Sequence, residues 1–256
     1  MSGVAIVTGG AGGIGLATAK RLLDRGMSLM LVDADEAQAR GAEQRFGSDR
    51  LAISIADVTD EAAVQRSVDE TLTRFGRIDA LVNIAGGAGP VKVHEIEKVE
   101  LATWDLVMNL NVRSTFLYCR SVMPHMRAQR YGRIVNISST LARGEKGPPT
   151  TVAARLPYAT AKAALVGMTS QLAKDVAADG ITVNALLPGL ILGEKGTRIR
   201  GRFEALPDEQ REKILTQYPI GRPGEADEVA VAIEFLVSEA AGYITGTAIP
   251  VDGGYL

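Results

Sequence analysis

Short apolar runs rich in β-branched residues recur along the chain, and stretches of helical periodicity lie between them. The runs are Val4-Ala5-Ile6-Val7, Leu29-Met30-Leu31-Val32, Leu51 to Ile55, Ala80 to Asn83, Gly132 to Ile137, Ile181 to Leu186 and Thr247 to Val251. Runs of this length, bounded by Gly, Asp or Asn, predict buried strands. Helical patterns run from Leu16 to Leu23, from about Asp60 to Phe75, from Leu101 to Arg127 as one helix holding Asn109 and Asn111, and from Tyr158 to about Ala177. Two more lie near Pro207 to Gln217 and Glu225 to Val237. Strand and helix alternating at this spacing predict βαβ crossovers and a parallel sheet, an α/β class. Residues 140–157 read as irregular, because Gly144, Gly147, Pro148 and Pro149 break any regular element. Residues from Leu190 to about Arg202 predict a mobile lid beyond a strand end, with the substrate lid as a whole placed around 190–217.

The first strand runs directly into Thr8-Gly9-Gly10-Ala11-Gly12-Gly13-Ile14-Gly15 and then into a helix. Strand, glycine loop and helix are the context in which glycines cradle a pyrophosphate: backbone amides approach closely, and the helix N-terminus adds partial positive charge. Two registers fit, Gly10, Gly12 and Gly15 or Gly9, Gly13 and Gly15, and spacing alone leaves both open. Asp33 ends the second strand, where a carboxylate suits the ribose hydroxyls of an adenosine and repels a 2′-phosphate. The glycine loop holds no Lys or Arg, so NAD is expected and NADP is the less favoured cofactor. Helix capping by Asp33 or Asp35 is the competing role. Asp33, Asp57, Asn83 and Gly86 all fall at strand ends, where ligands of parallel sheets bind.

Composition adds mainly exclusions. A chain of 256 residues suits one large α/β domain as well as two small ones, and 46% hydrophobic with 23% charged residues is ordinary for a globular protein. A net charge of −2 supplies no basic field for nucleic acid or anionic membrane. The one cysteine, Cys119, excludes an internal disulfide and a cysteine-rich metal site, so no metal is expected. No signal-peptide pattern and no spanning apolar run are visible, and a cytoplasmic protein is expected.

The chemistry concentrates in Leu156-Pro157-Tyr158-Ala159-Thr160-Ala161-Lys162. Residues four apart share a helical face, so Tyr158 and Lys162 lie together. A tyrosine, with an ordinary pKa of about 10, is a poor base at neutral pH, and a neighbouring ammonium favours its phenolate. The two form a candidate general acid/base pair.

These features, in this order, resemble the classical short-chain dehydrogenase/reductase family over nearly the whole chain. Thr8 to Gly15 matches the family's cofactor loop in the register Gly9, Gly13 and Gly15, with Ile14 inside it. Asn83-Ile84-Ala85-Gly86 matches its Asn-Asn-Ala-Gly segment with Ile84 in place of the second Asn. Asn111, Ser139, Tyr158 and Lys162 match its catalytic tetrad, and Pro188-Gly189 its turn near the nicotinamide. The resemblance implies a single Rossmann-like doubly wound domain over 1–256 with a seven-stranded parallel sheet flanked by helices. It implies an NAD-dependent alcohol dehydrogenase or carbonyl reductase. Tyr158 would exchange a proton with the substrate oxygen, and Ser139 would orient that oxygen. Lys162 would lower the Tyr158 pKa and bind the nicotinamide ribose, and Asn111 would hold a relay water. Asp33 would select NAD, Asp57 and Val58 would flank the adenine, and Ala85 and Gly86 would line the cofactor. A homotetramer is implied, with the helices around 101–127 and 157–177 at one interface.

Three departures stand out. Ser139 and Tyr158 are 19 residues apart, a longer gap than usual in the family, and Ser138 is an alternative to Ser139. The position that ordinarily carries a carboxamide-binding Thr is Gly193, with Thr197 as a substitute, and Ile84 weakens a polar segment. Arg143, Lys146, Arg155, Lys195, Arg198 and Arg200 lie in the two segments bordering the expected pocket, where they either solvate the surface or, one or two of them, bind an anionic group of a small-molecule substrate. Rival readings are a non-catalytic NAD-binding sensor or scaffold, and a sugar epimerase holding NAD tightly. A nucleic-acid binder is disfavoured.

Overall fold

The computed structural model describes residues 3–145 and 152–256. Lys146 and the Gly147, Pro148 and Pro149 breakers lie outside the described residues. In chain order the elements begin with β1 (Val4–Thr8), α1 (Gly13–Asp24), β2 (Ser28–Asp33), α2 (Glu36–Phe46), β3 (Leu51–Ile55), α3 (Glu61–Phe75) and β4 (Ala80–Asn83). They continue with α4 (Leu101–Met108), α5 (Ser114–Gln129), β5 (Gly132–Ile137), α6 (Arg155–Val176) and β6 (Ile181–Pro188). The last part holds β7 (Ile191–Leu192), α7 (Arg198–Glu204), α8 (Asp208–Leu215), β8 (Gly224–Glu225), α9 (Ala226–Leu236) and β9 (Ala248–Val251).

Seven strands form one sheet in the order β3-β2-β1-β4-β5-β6-β9, and every pairing is parallel. The chain winds outward from β1 to β3, then returns to place β4 on the other side of β1. Between β1 and β4 lies the switch point, beyond whose carboxyl ends ligands of such sheets bind. Every residue of β1, β4, β5 and β6 is buried, because helices cover both faces. On one face Leu22, Leu23, Val229, Ile233 and Leu236 of α1 and α9 pack on Ala5, Val7 and Val135. On the other, Val64, Val68, Tyr118, Val122 and Val176 of α3, α5 and α6 pack on Ile6, Leu81 and Ile134.

Local signals account for several boundaries. Asp35 caps α2 by accepting from the Gln38 amide, and Asp60 caps α3 by accepting from the Ala62 amide. Gly47 and Gly76 end those helices in the left-handed conformation. The helix expected as one piece over Leu101–Arg127 is instead two, α4 and α5, joined by a π-helical turn over Asn109–Arg113. The widened turn lets the Asn111 amide donate inward to the Val107 and Gly87 carbonyls, both at 2.8 Å, where a regular α-helix would close on itself.

The irregular stretches also carry more structure than their composition suggested. Residues Thr140–Arg143 form a 3₁₀ turn, and α6 begins at Arg155, ahead of Pro157. Part of the expected lid is the helix α7, and its base is stitched down by parallel pairing of β7 with β8. Leu190, Leu192, Phe203, Ile214 and Tyr218 give this segment a small core of its own.

Candidate active site

Thr8 ends β1 with its hydroxyl facing the segment after β4, where it accepts from the Ile84 amide at 3.1 Å and the Ala85 amide at 3.2 Å. The glycine loop is thereby held against Ala85 and Gly86. The fit is tight: at Gly9 (φ +63°) an added Cβ would lie 2.9 Å from the Ala85 nitrogen, and at Gly15 it would overlap the Gly9 carbonyl oxygen. Gly10 is also confined, by Leu31 and Val7. At Gly12 and Gly13 a Cβ would meet nothing nearer than 3.9 and 3.6 Å. Gly9 and Gly15 are thus required by the fold, while Gly12 and Gly13 present open backbone at the head of α1. Gly12 caps that helix without a side-chain hydrogen bond, and its first turn holds no acidic residue. Its leading amides are therefore available to an anion.

Of the two aspartates that could cap α2, Asp35 takes that role. Asp33 instead reaches back to the glycine loop, accepting from the Ala11 amide at 3.1 Å and from the Asp35 amide at 3.1 Å. A half-exposed carboxylate thus stands at the end of β2 beside the loop. Asp57 is exposed and is held by the amide and hydroxyl of Thr59, both at 2.8 Å. The Val58 side chain packs in the core beside Val32 and Ala63. The Asn83 side-chain amide donates to Asn136 at 2.9 Å, and Asn136 donates to Thr169 at 2.9 Å, a buried polar chain across β4, β5 and α6. Asn83 thereby anchors the strand end, and its own carbonyl oxygen is left unpaired.

The catalytic candidates converge beyond β4 and β5. Lys162 is 3% exposed, its ammonium donates to the Ile137 carbonyl at 2.7 Å, and it lies 5.5 Å from the centre of the Tyr158 ring. Burial pushes the Lys162 pKa down from 10.5 to about 7. Tyr158 packs against Val93, Val107, Ala154 and Ala161. A Cβ on Gly86 would meet the Asn111 Oδ1 at 2.5 Å and the Lys162 nitrogen at 3.3 Å, so Gly86 is the gap that lets these two side chains approach. Asn111 is fully buried and also accepts from the Gly87 amide at 3.1 Å. The two serines separate cleanly: Ser138 spends its hydroxyl on the Lys162 carbonyl at 2.7 Å, whereas Ser139 accepts from the Leu141 amide at 3.2 Å. Ser139 is thus the serine whose hydroxyl proton remains to be given.

Pro188 ends β6 and Gly189 donates to the Val251 carbonyl at 3.0 Å. A side chain on Gly189 would collide with Tyr218, whose hydroxyl accepts from the Leu190 amide at 3.1 Å and whose ring stacks on Tyr255 at 4.9 Å. The sequence offered no signal for Tyr218, an aromatic just past the end of α8. The space that a side chain at Gly193 would enter is filled by Thr197, whose Oγ1 lies 3.0 Å from the Cβ position. Gly193 in turn lies over Gly13, so the lid root meets the glycine loop. A cleft of about 740 Å³ runs between them, past Gln38 and Arg45.

A dinucleotide fits this set: uncapped amides at the head of α1, glycines with open faces, a carboxylate at the β2 end, and a cleft beside the glycine loop. Fold and site together define a Rossmann-type nicotinamide oxidoreductase. The family profile described as Enoyl-(Acyl carrier protein) reductase matches residues 9–256. The chain is 36% identical to (2S)-[(R)-hydroxy(phenyl)methyl]succinyl-CoA dehydrogenase subunit BbsD of Thauera aromatica, covering 98% of this chain and 95% of that one. It is 37% identical to 2-(R)-hydroxypropyl-CoM dehydrogenase of Xanthobacter autotrophicus, covering 100% and 99%. A crystal structure of levodione reductase superposes with a TM-score of 0.87 at 34% identity, covering 98% and 96%. The chain belongs to the classical short-chain dehydrogenase/reductase family.

Proposed function

We propose that the protein is an NAD-dependent oxidoreductase acting between secondary alcohols and ketones, with Tyr158 as general acid/base. One catalytic domain over 1–256 binds the cofactor, and a substrate lid spans about 190–217. The observation that carries the reading is the buried Lys162 ammonium beside the Tyr158 ring. A charged Lys162 favours the phenolate of the neighbouring Tyr158. Tyr158 then takes a proton from a bound alcohol, or returns one to a ketone, at a cost low enough for neutral pH. Ser139 donates to the same substrate oxygen and fixes its direction. Lys162, held by Ile137, hands protons on towards Asn111, whose side chain is locked by Val107 and Gly87. Gly12, Gly13 and the head of α1 hold the pyrophosphate. Asp33 holds the adenosine ribose, Asp57 borders the adenine, and Thr197 takes the place of the hydroxyl missing at Gly193. When bound, the nicotinamide supplies the hydride chemistry that no side chain can perform.

Asp33 carries the preference for NAD, since a 2′-phosphate would meet its carboxylate. The relatives' names support a hydroxyl or oxo substrate: a hydroxy(phenyl)methyl succinyl-CoA, a 2-hydroxypropyl-CoM, and, for the Escherichia coli relative at 36% identity, a 3-oxoacyl-[acyl-carrier-protein]. Among the described residues no helix is long and apolar enough to cross a membrane, which accords with a cytoplasmic enzyme. A screen of neutral and acidic secondary alcohols with NAD and NADP in parallel, followed by absorbance of the reduced nicotinamide, tests the reading. Turnover with NAD is expected, and a preference for NADP would overturn the role given to Asp33.

A further inference from the structure

We infer that Arg155 is the anion-binding residue of the substrate pocket, so that the enzyme selects secondary alcohols and ketones carrying a carboxylate, sulfonate or phosphate near the reacting carbon. The inference rests on the reading of Tyr158 as the acid/base and deepens it to a substrate class.

Placement comes first. Arg155 opens α6, and Tyr158 and Lys162 follow it at i+3 and i+7. At 3.6 residues per turn these three positions form one stripe, with Arg155 and Lys162 within about 20° of each other. At a rise of about 1.5 Å per residue, Arg155 stands about 4.5 Å nearer the helix N-terminus than Tyr158. It therefore leads the stripe that carries the acid/base pair.

The state of its guanidinium points to a ligand. Nη1 of Arg155 is buried and has no hydrogen-bond partner, the only such atom on a charged group among the described residues. Arg155 also makes no ion pair among the described residues. A guanidinium is charged at every accessible pH, and an interior donor left unpaired is costly. Arg133 shows what a structural buried arginine looks like in this fold. Its guanidinium stacks on Tyr131 and is spent on the carbonyls of Gly132, Gly180 and Ser238. Arg155, half-buried as a residue, has no such carbonyls among the described residues.

Other basic residues near the pocket are differently disposed. Arg200 donates to the Gly193 carbonyl at 2.6 Å and pairs with Glu204 at 3.4 Å, and Arg143 and Lys195 are exposed. Arg155 alone combines the stripe of Tyr158 with an unmatched donor. The head of α6 adds to it: Ala154 caps the helix without a side-chain hydrogen bond, and the first turn holds no acidic residue. Both the free amides and the guanidinium fork favour an oxyanion.

The test compares 3-hydroxybutanoate, 4-hydroxypentanoate and 5-hydroxyhexanoate with their primary amides, using the wild type, Arg155→Met and Arg155→Lys. For at least one chain length the wild type should prefer the acid by about tenfold or more in kcat/KM. Arg155→Met should lose about 10- to 100-fold on that acid and stay within about threefold on its amide, with Arg155→Lys between the two. Equal losses on acid and amide, or a wild-type preference for amides, would overturn the inference. If nothing in the series turns over, the fault lies in the proposed reaction, and calorimetric titration with the same acids decides the anion site. Binding by the wild type that disappears in Arg155→Met supports it, and absent or equal binding rejects it. Circular dichroism and the unfolding midpoint check that both variants fold.

Discussion

Lys162 is the residue on which the electrostatics turn. Its amine is buried against the Ile137 carbonyl, and its pKa falls from 10.5 to about 7. Between those values the unfolded chain holds a proton that the folded chain has released, so stability rises with pH across that window. Below pH 7 the full cost of burying the cation is present. In Lys162→Met that cost is gone, while the stem still fills its space. The unfolding midpoint of Lys162→Met minus that of the wild type should therefore be largest near pH 6 and shrink steadily towards pH 9. Thermal unfolding of the cofactor-free proteins across that range checks it, and a difference independent of pH would contradict it. The Tyr158–Lys162 pairing was legible because a helix converts a spacing of four residues into a shared face. The partition between Ser138 and Ser139 was not, since adjacent residues differ only in which way the strand end turns them. Arg155 was visible merely as one basic residue among six.

At the scale of elements, the glycine loop divides into positions that the fold demands and positions left for the ligand. A Cβ at Gly15 would overlap the Gly9 carbonyl, whereas one at Gly12 would meet nothing closer than 3.9 Å. Gly15→Ala should lower stability by about 1–3 kcal/mol, as overpacking does, and weaken NAD binding together with it. Gly13→Ala, inside the helix and with nothing nearer than 3.6 Å to its Cβ, should leave the unfolding free energy within about 0.5 kcal/mol, the range of changes away from packed features, so that any loss of NAD affinity reports the ligand alone. Denaturant titration and calorimetry read the two effects separately, and equal destabilisation by both variants would contradict the division. Spacing could not show which glycines the fold demands, because what confines Gly9 is Ala85, 76 residues further along the chain, and what confines Gly10 is Leu31 on the next strand. The π-helical turn was hidden for a similar reason. Asn111 marks it, but what it bonds to is the Gly87 backbone on a different segment. The strands were readable as apolar runs, since both faces of the sheet are covered. The small β7–β8 pairing and α7 were not, because each is too short to show a period.

For the whole molecule, α5 and α6 leave an apolar groove of about 680 Å³ lined by Phe116, Met123, Met168 and Leu172. Phe116 is 48% exposed there. A second copy of the chain is the proposed occupant, within a homotetramer. Phe116→Glu should shift the assembly to smaller species in sedimentation velocity, and an unchanged distribution would place the interface elsewhere. The fold class follows from alternation along the chain, but assembly depends on a surface that no periodicity reports. What the assembled parts do together is tested most directly at Tyr158, whose hydroxyl is the proposed proton carrier. The decisive measurement is steady-state turnover of an accepted secondary alcohol by Tyr158→Phe, with NAD affinity measured by calorimetry on the same sample. The account predicts that turnover falls by about 10²- to 10⁴-fold while NAD binding stays near that of the wild type. Turnover that survives the substitution would contradict it and return the proton transfer to another group.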